Sequence, residues 1–462
     1  MTIVQNQIKP NVGNKMLKSS SADIILTTSF VKNSSGGTGI TSPSNSKSTS
    51  PISSPILKHS TSGNNISAGN NTTFLNNNNI FRKTIAWIDR EAISSNVRNQ
   101  LSRMNGTTKL FAVVKANGYG HGAIEVAKAA KRGGATGFCV AIIEEALELR
   151  NHDSFKDDPL LVMGLSHPNE APIMAKKKIS ITVTNLEWLQ DALLFMSQQQ
   201  KNSQNGASTQ PLLPLNVHVA VDTGMGRIGL TSVEDLAKIQ SFFNQHSAYF
   251  KFEGIFTHFA TADSTDSTLY AIQFEKFHRM LSSLAKKPTY VHISNSASAL
   301  YHNPPIWCNM IRFGIAMYGL NPGGKSIPSP FPLKQALSLV TELVHVKRVK
   351  EGDTIGYGAT YKAKEGDWIG TLPIGYADGW RRDLQGQTVL IQGERCEIIG
   401  RVCMDQCMIR MPREYPVGTQ VVLVGKSEKD EITLQELSDK LNTIHYELAC
   451  CFTNRVPRLY FN

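Results

Sequence analysis

The chain has 462 residues, 41% of them hydrophobic, and a formal net charge of +11; that length accommodates two or three domains with sizeable cores. A charge of that size suggests nucleic acid, but residues 1–83 hold eight lysines and arginines against the single acid Asp23, which accounts for +7 and leaves +4 for residues 84–462. The basicity therefore belongs to the tail and not to a folded binding face, so nucleic acid is excluded as a partner, and no apolar run reaches the roughly 18–20 residues that a membrane span needs.

Residues 1–80 are rich in Ser, Asn, Thr and Gly, in runs such as SSGGTG and FLNNNNI. They cannot bury enough apolar surface to offset the entropy of ordering, so a disordered low-complexity tail is expected, dispensable for any chemistry. Its acid-poor, Ser-rich composition is similar to that of a mitochondrial transit peptide, which leaves import open. Arginine is absent before Arg82, however, and no basic amphipathic helix is evident. A soluble, cytoplasmic protein is the expectation.

After the tail, short apolar runs alternate with helical patterns, as in a parallel sheet. Strands are expected at Leu110–Lys115, Phe138–Ile143, Leu160–Gly164, Ile179–Thr184, Leu215–Asp222, Phe252–His258, Tyr290–Ser294 and Ile311–Met317. Between them, Ile124, Ala127 and Ala130 share one helix face that Gly133 and Gly134 terminate. Ser232 opens another helix, with Glu234 and Asp235 in its first turn, where the helix dipole favours them. Eight strand–helix units fit an α/β fold of the (β/α)8 TIM-barrel type over residues 81–325. A Pro-rich joint (IPSPFPL) follows, and residues 326–462 read as a mostly β C-terminal domain with one helix capped by Thr433 and Glu436. The seven cysteines argue against a disulfide framework. Cys403 and Cys407 lack a following histidine at zinc-finger spacing, so no metal site is expected.

Polar residues gather at the carboxyl ends of the expected barrel strands, the rim where this fold places active sites. Lys115 ends an apolar run and precedes a glycine-rich turn. Burial disfavours its charge, and a neutral amine can attack a carbonyl to form an imine; taken alone, it fits a snorkelling lysine equally well. Asn295, Ser296 and the backbone at Gly314 and Ile315 offer donors that suit a phosphate. Arg227 follows the turn Asp222-Thr-Gly-Met-Gly and suits a carboxylate. Tyr357 is an acid/base candidate if nearby cations lower its pKa. Each has a plain alternative: a salt-bridging arginine, a tyrosine at a core edge or, for His258, a satisfied buried imidazole.

Six strings resemble the alanine racemase family, the pyridoxal-phosphate-dependent barrel enzymes of fold type III. They are AVVKANGYGHG (112–122), DTGMGRIG (222–229), THFATAD (257–263), RFGIAMYGL (312–320), GYGATY (356–361) with LPIGYADGW (372–380), and GRVCMDQCM (400–408). The resemblance runs in order from about residue 84 to the last residue. It implies a homodimer that interconverts L- and D-alanine by two-base proton transfer on an imine of pyridoxal 5'-phosphate, with the active site completed across the interface. By resemblance, Lys115 holds the cofactor and is one acid/base; Tyr357, from the other subunit, is the second. Arg312 meets the pyridine nitrogen, and His258 lies near the ring and bonds Arg312. Tyr119, Asn295, Ser296, Gly314 and Ile315 surround the phosphate. Arg227 and the amide of Met404 bind the substrate carboxylate, and Tyr376 and Asp405 shape the entrance.

Two departures stand out. Ala220 occupies the position where some members carry a carbamylated lysine bracing the carboxylate-binding arginine, so Arg227 must be oriented otherwise, for example by an anion. Asn454 precedes RVPR, where some members place a phosphate-contacting tyrosine, so that contact is not expected in the same form. The alternatives are a serine or broad-spectrum racemase on the same fold, a decarboxylase and a non-enzymatic cofactor carrier. Arg312 argues against the decarboxylase, which presents a carboxylate to the pyridine nitrogen. GYGATY and GRVCMD argue against the carrier, which lacks the second domain.

Overall fold

The apolar runs between residues 109 and 313 line up side by side in sequence order. The computed structural model describes residues 81–202 and 213–462; the expected tail over residues 1–80 lies outside them. Among the described residues, Lys109–Val113, Gly137–Val140, Leu160–Val162, Ser180–Val183, Leu215–Ala220, Phe250–Phe256, Tyr290–His292 and Met310–Phe313 form one eight-stranded parallel sheet. The last strand returns to pair with the first, Lys109 opposite Met310 and Ala112 opposite Phe313. A parallel bridge between Ser294 and Ile311 closes the ring. Each expected strand is present, and Leu110 to Val113 are all buried, as strands covered on both faces require. The helix Ala123–Arg132 ends at Gly133. The helix Val233–Gln245 is capped by Ser232, whose hydroxyl accepts from the Asp235 amide at 3.1 Å.

The second layer is a mostly antiparallel ten-stranded sheet. Most of it comes from residues after 336, but its interior includes Ile85–Asp89. That strand pairs antiparallel with Leu337–Glu342 and parallel with Arg458–Phe461. The chain thus passes through this sheet before it enters the barrel, whereas the sequence reading began the barrel at residue 81. The alternation of half-buried Ile85, Trp87 and Asp89 with buried Ala86 and Ile88 suits a sheet with two unlike faces. The expected Thr433 cap is present: its hydroxyl accepts from the Glu436 amide at 3.0 Å and opens the helix Leu434–Lys440. A following helix, His445–Cys451, lies against the mouth of the barrel, close enough that a Cβ on Gly120 would sit 2.0 Å from the Ala449 carbonyl.

The ends of the described chain meet at one buried carboxylate. Asp378 is fully buried, pairs with Arg82 at 2.7 Å and Arg455 at 3.2 Å, and accepts from the Gly375 amide at 3.0 Å. Removing one member of such a group leaves the others' charges uncompensated. Asp378→Ala is expected to cost about 3 kcal/mol, the low end for a broken buried pair because both arginines keep contact with water. Urea unfolding measures it, and an unshifted midpoint would contradict this reading.

Candidate active site

At the carboxyl ends of the barrel strands lies a cleft of about 820 Å³. It brings together nine of the residues singled out from sequence: Lys115, Tyr119, Arg227, His258, Asn295, Ser296, Arg312, Gly314 and Ile315.

Lys115 leaves the first barrel strand at the start of an unusual turn. Ala116, Asn117, Gly118 and Tyr119 all have positive φ, between 50° and 61°. Single residues visit this region; four in succession form a left-handed turn that L-residues disfavour. Hydrogen bonds hold it: the Gly118 amide donates to Val114 O at 2.8 Å and the Gly120 amide to Ala116 O at 2.9 Å. The Ala116 amide donates to the Glu145 carboxylate at 2.6 Å, and Asn117 Oδ1 accepts from the Ala123 amide at 2.9 Å. The turn sends Lys115 and Tyr119 into one cleft. Burial lowers the pKa of Lys115, and the nearby Arg227 charge lowers it further, so its neutral form is more available than in an exposed lysine.

Arg312 is the buried cation of the site. Its Nη1 donates to His292 Nδ1 at 2.7 Å and to His292 O at 3.1 Å; its Nη2 donates to Thr257 O at 2.9 Å and reaches His258 Nδ1 at 3.5 Å. Burial brings its pKa down to about 10, still far above neutrality, so the guanidinium stays charged and can only donate. His258 is pushed down to about 3 by burial and by Arg312, Arg227 and Lys115, and is therefore neutral. The contact with His258 is long, and the shorter histidine contact comes from His292.

At the other end of the cleft, Ser296 Oγ accepts from the Gly314 amide at 2.8 Å and the Ala316 amide at 3.4 Å. These contacts use its lone pairs and leave its O–H to donate. The Tyr119 hydroxyl lies so close to Gly314 that a Cβ there would sit 2.9 Å from it. Only glycine leaves this hydroxyl in place. Tyr446, from the helix His445–Cys451, also lines the cleft, with its ring 6.4 Å from that of Tyr119. Burial raises the pKa of both phenols, so both remain hydroxyl donors.

Arg227 is carried by a loop tied at its base. The Asp222 amide donates to Leu230 O and the Leu230 amide to Ala220 O, both at 2.9 Å. Asp222 Oδ1 accepts from the amides of Gly224 at 2.9 Å and Gly226 at 3.1 Å. Ala220 thus braces the loop through its backbone.

The remaining expected residues lie elsewhere. Tyr357, Met404 and Asp405 line a separate surface depression. Tyr376 is joined to the same patch, its amide donating to Cys403 O at 3.1 Å while the Ala377 amide donates to Met404 O at 3.0 Å. Tyr357 is 67% exposed and Met404 53%. A single chain therefore brings nine of the expected residues into the cleft and leaves Tyr357, Tyr376, Met404 and Asp405 outside it.

Sequence reasoning missed His292 and Tyr446. His292 is two residues before Ser294 on an expected strand, and its alternation with Val291 was a usable signal. Tyr446 had none, because only the tertiary placement of its helix brings it to the cleft; Asn454, where the tyrosine was sought, does not line it. Among the described residues, no group of three or more His, Cys, Asp or Glu side chains is placed to hold a metal ion, and no helix is long and apolar enough to cross a membrane.

Two family models match the chain: "Alanine racemase, N-terminal domain" over residues 88–322 and "Alanine racemase, C-terminal domain" over residues 336–460. The alanine racemase of Latilactobacillus sakei subsp. sakei (strain 23K) is 51% identical over 383 residues, covering 82% of this chain and 97% of that protein. The crystal structure of alanine racemase from E. faecalis superposes with a TM-score of 0.77 at 51% identity, covering 83% of this chain and 99% of that one. A histidine racemase from Leuconostoc mesenteroides subsp. sake is also similar, with a TM-score of 0.75 at 30% identity, covering 83% of this chain and 99% of that one.

The environment of Lys115 has a direct chemical consequence. A small aldehyde with borohydride is expected to label Lys115 ahead of the surface lysines, with half-maximal labelling at a lower pH than theirs. Peptide mass mapping reads this, and labelling spread evenly over the exposed lysines would refute it.

Proposed function

The chain belongs to the alanine racemase family, and from that premise we propose that its cleft holds pyridoxal 5'-phosphate and that Lys115 and Tyr357 move the α-proton of alanine on opposite faces. The overall reaction is the interconversion of L- and D-alanine, an isomerisation. One observation carries the mechanistic reading. An amine of lowered basicity, a buried cation that can only donate, and a hydroxyl cradle around Gly314 converge in one cleft.

These groups fit the cofactor. Its carbonyl needs an amine that gives up its proton readily, and burial and Arg227 lower the basicity of Lys115. Its ring nitrogen needs a partner, and Arg312 lines the cleft as an obligate donor. Its phosphate needs hydrogen-bond donors, and the hydroxyls of Tyr119, Ser296 and Tyr446 supply them, with Asn295 and Ile315 alongside. When bound, the cofactor supplies an electrophilic carbonyl and a conjugated ring that acidify the hydrogen on the amino acid's α-carbon.

The protein's part is proton movement and selection. Inversion takes a proton from one face of the α-carbon and returns one to the other, so each face needs its own acid/base. Lys115 Nζ serves one face. Arg227 suits the substrate carboxylate, and its charge also lowers the basicity of Lys115. Arg312 cannot surrender its proton near neutral pH, so it leaves the ring nitrogen unprotonated and restrains charge uptake there. That restraint disfavours side reactions that need a longer-lived carbanion.

The second face requires Tyr357, which in one chain stands on the surface with Met404 and Asp405. A two-fold dimer that sets this patch over the partner's barrel mouth completes two equivalent sites. The amide of Met404 would then share the substrate carboxylate with Arg227, and Tyr376 and Asp405 would border the entrance. All seven cysteines are free thiols, which supports assignment to the reducing cytoplasm.

Incubating L-alanine with the enzyme in deuterated buffer, with chiral analysis of the product, is expected to give α-deuteration together with D-alanine. Tyr357→Phe should lose inversion while Lys115 still exchanges protons on its own face. Full racemisation by that variant would overturn the two-base assignment. Mixing Lys115→Ala and Tyr357→Phe chains tests the shared site. Each alone should be inactive, whereas random reassociation makes half the dimers hybrids with one intact site of two, restoring about a quarter of wild-type activity. No recovery in proven hybrids would place both groups on one chain.

A further inference from the structure

Behind Arg312, inside the barrel, stands a line of polar side chains that the proton-transfer chemistry does not use. His292 Nδ1 accepts from Arg312 at 2.7 Å. The other nitrogen of that ring, Nε2, lies 2.8 Å from His218 Nδ1. His218 Nε2 lies 3.2 Å from Glu253 Oε2, which also accepts from the Ser180 hydroxyl at 2.5 Å. His292 is fully buried, His218 1% exposed and Arg312 3%. The carboxylate end reaches a depression away from the cleft, lined by Ser180, Lys251, Glu253 and Tyr290. The line therefore leads from the active-site cleft through the barrel interior to a second opening.

The site is built to hold these rings. A Cβ on Gly254 would lie 2.3 Å from His218 Nδ1, so a glycine on the neighbouring strand makes the space that the imidazole fills. His292 stacks on Phe256 with centroids 4.8 Å apart, and His218 on Tyr290 at 5.8 Å. Packing thus fixes both ring planes, and the open variable is which nitrogen of each ring carries the proton.

Chemistry settles that variable link by link. A guanidinium has no acceptor, so His292 Nδ1 is the acceptor and its single proton sits on Nε2. That N–H donates to His218 Nδ1, which must in turn be unprotonated. The proton of His218 then sits on Nε2 and donates to Glu253. The opposite assignment at any link sets donor against donor or acceptor against acceptor. The line runs one way, from a cation at the cleft to an anion at the far end, through two neutral rings.

We propose that Glu253, acting through His218 and His292, is a positioning residue for Arg312. It holds both imidazoles in the Nε2–H form and so makes His292 Nδ1 a fixed acceptor for the guanidinium. The inference rests on the reading above that Arg312 meets the cofactor ring. Without the carboxylate, His218 is free to carry its proton on Nδ1, facing the His292 N–H. His292 then loses its acceptor, and the hold on Arg312 Nη1 loosens at the atom that orients the guanidinium in the cleft.

The test compares Glu253→Gln, whose amide oxygen still accepts from His218, with Glu253→Met, which keeps the length of the side chain and removes the acceptor. In the holoenzyme, Glu253→Met is expected to lower kcat by about 10- to 100-fold, the range for lost outer-shell support of an active-site group. KM for alanine should stay within about twofold, because Arg227 is untouched. The cofactor's visible absorption maximum should shift, and Glu253→Gln should restore both kcat and the band. A folded Glu253→Met enzyme with wild-type kcat and spectrum would overturn the proposal. The wild-type chain gives a second reading that does not depend on any variant. With 15N-labelled histidine, the ring shifts of His218 and His292 should both report the neutral Nε2–H form, and an Nδ1–H or charged ring at either position would overturn the relay. Those shifts are read without turnover, so failure of the relay and failure of the racemase reading are distinguishable.

Discussion

Four consecutive residues, Ala116 to Tyr119, turn in the left-handed sense, and much of the site depends on that turn. For the three that are not glycine the conformation costs about 1–2 kcal/mol each, which the surrounding contacts must offset. The turn follows a strand buried from Leu110 to Val113, with Lys115 lining the cleft, and within one revolution it delivers the Tyr119 hydroxyl to Gly314. It also brings Gly120 against the carbonyl of Ala449, and Gly122 so close to Tyr460 that a Cβ would lie 1.9 Å from the phenol oxygen. A side chain at Gly120 would meet that backbone and push away the helix that carries Tyr446, and one at Gly122 would displace the Tyr460 ring. Strain in the loop, the reach of Lys115 and Tyr119 into the cleft and docking of the two layers are thus one constraint.

Charge is the second organising term. Lys115, Arg227 and Arg312 line the same cleft, and the Glu145 carboxylate, bonded to the Ala116 amide, offsets the effect on Lys115 only in part. Their mutual repulsion adds to burial, and the group that gives way is the lysine, since a guanidinium holds its proton far more strongly. His258 yields as well and remains neutral. The cleft therefore combines an amine of lowered basicity with fixed positive charge, which suits a ligand that brings a phosphate and a carboxylate.

The barrel was legible because most of its strands are buried on both faces and read as short apolar runs with polar residues just beyond their carboxyl ends, although Phe250–Phe256 carries Lys251 and Glu253. Lys115, His258, Ser296 and Arg312 could be placed on one rim for that reason. Ile85–Asp89 was less legible: its alternating pattern is that of a sheet with two unlike faces, but nothing local says which sheet it joins, and its partners lie some 250 and 370 residues away. Tyr446 was missed for the same physical reason. A tyrosine near the start of a short amphipathic helix looks like a core residue until that helix is docked on the barrel mouth. His292 was a different case, since it lies on a correctly placed strand and only its partner, the guanidinium of Arg312, reveals its role.

The two halves of the proposed site differ in how they are stabilised. The barrel half is desolvated within one chain, and its pKa shifts and tautomers follow from its own packing. The half that bears Tyr357 is a surface patch on a single chain, where water screens charge and solvates the phenol. A phenol becomes an effective acid/base near neutrality only when fixed cations act on it through a low-dielectric medium. The fixed cations available are the guanidiniums of Arg227 and Arg312, both lining the cleft at the barrel mouth. Covering that mouth with the partner's patch, as in the proposed dimer, would set the Tyr357 hydroxyl beside those guanidiniums and away from screening water, so assembly would supply the charge environment that the isolated patch lacks.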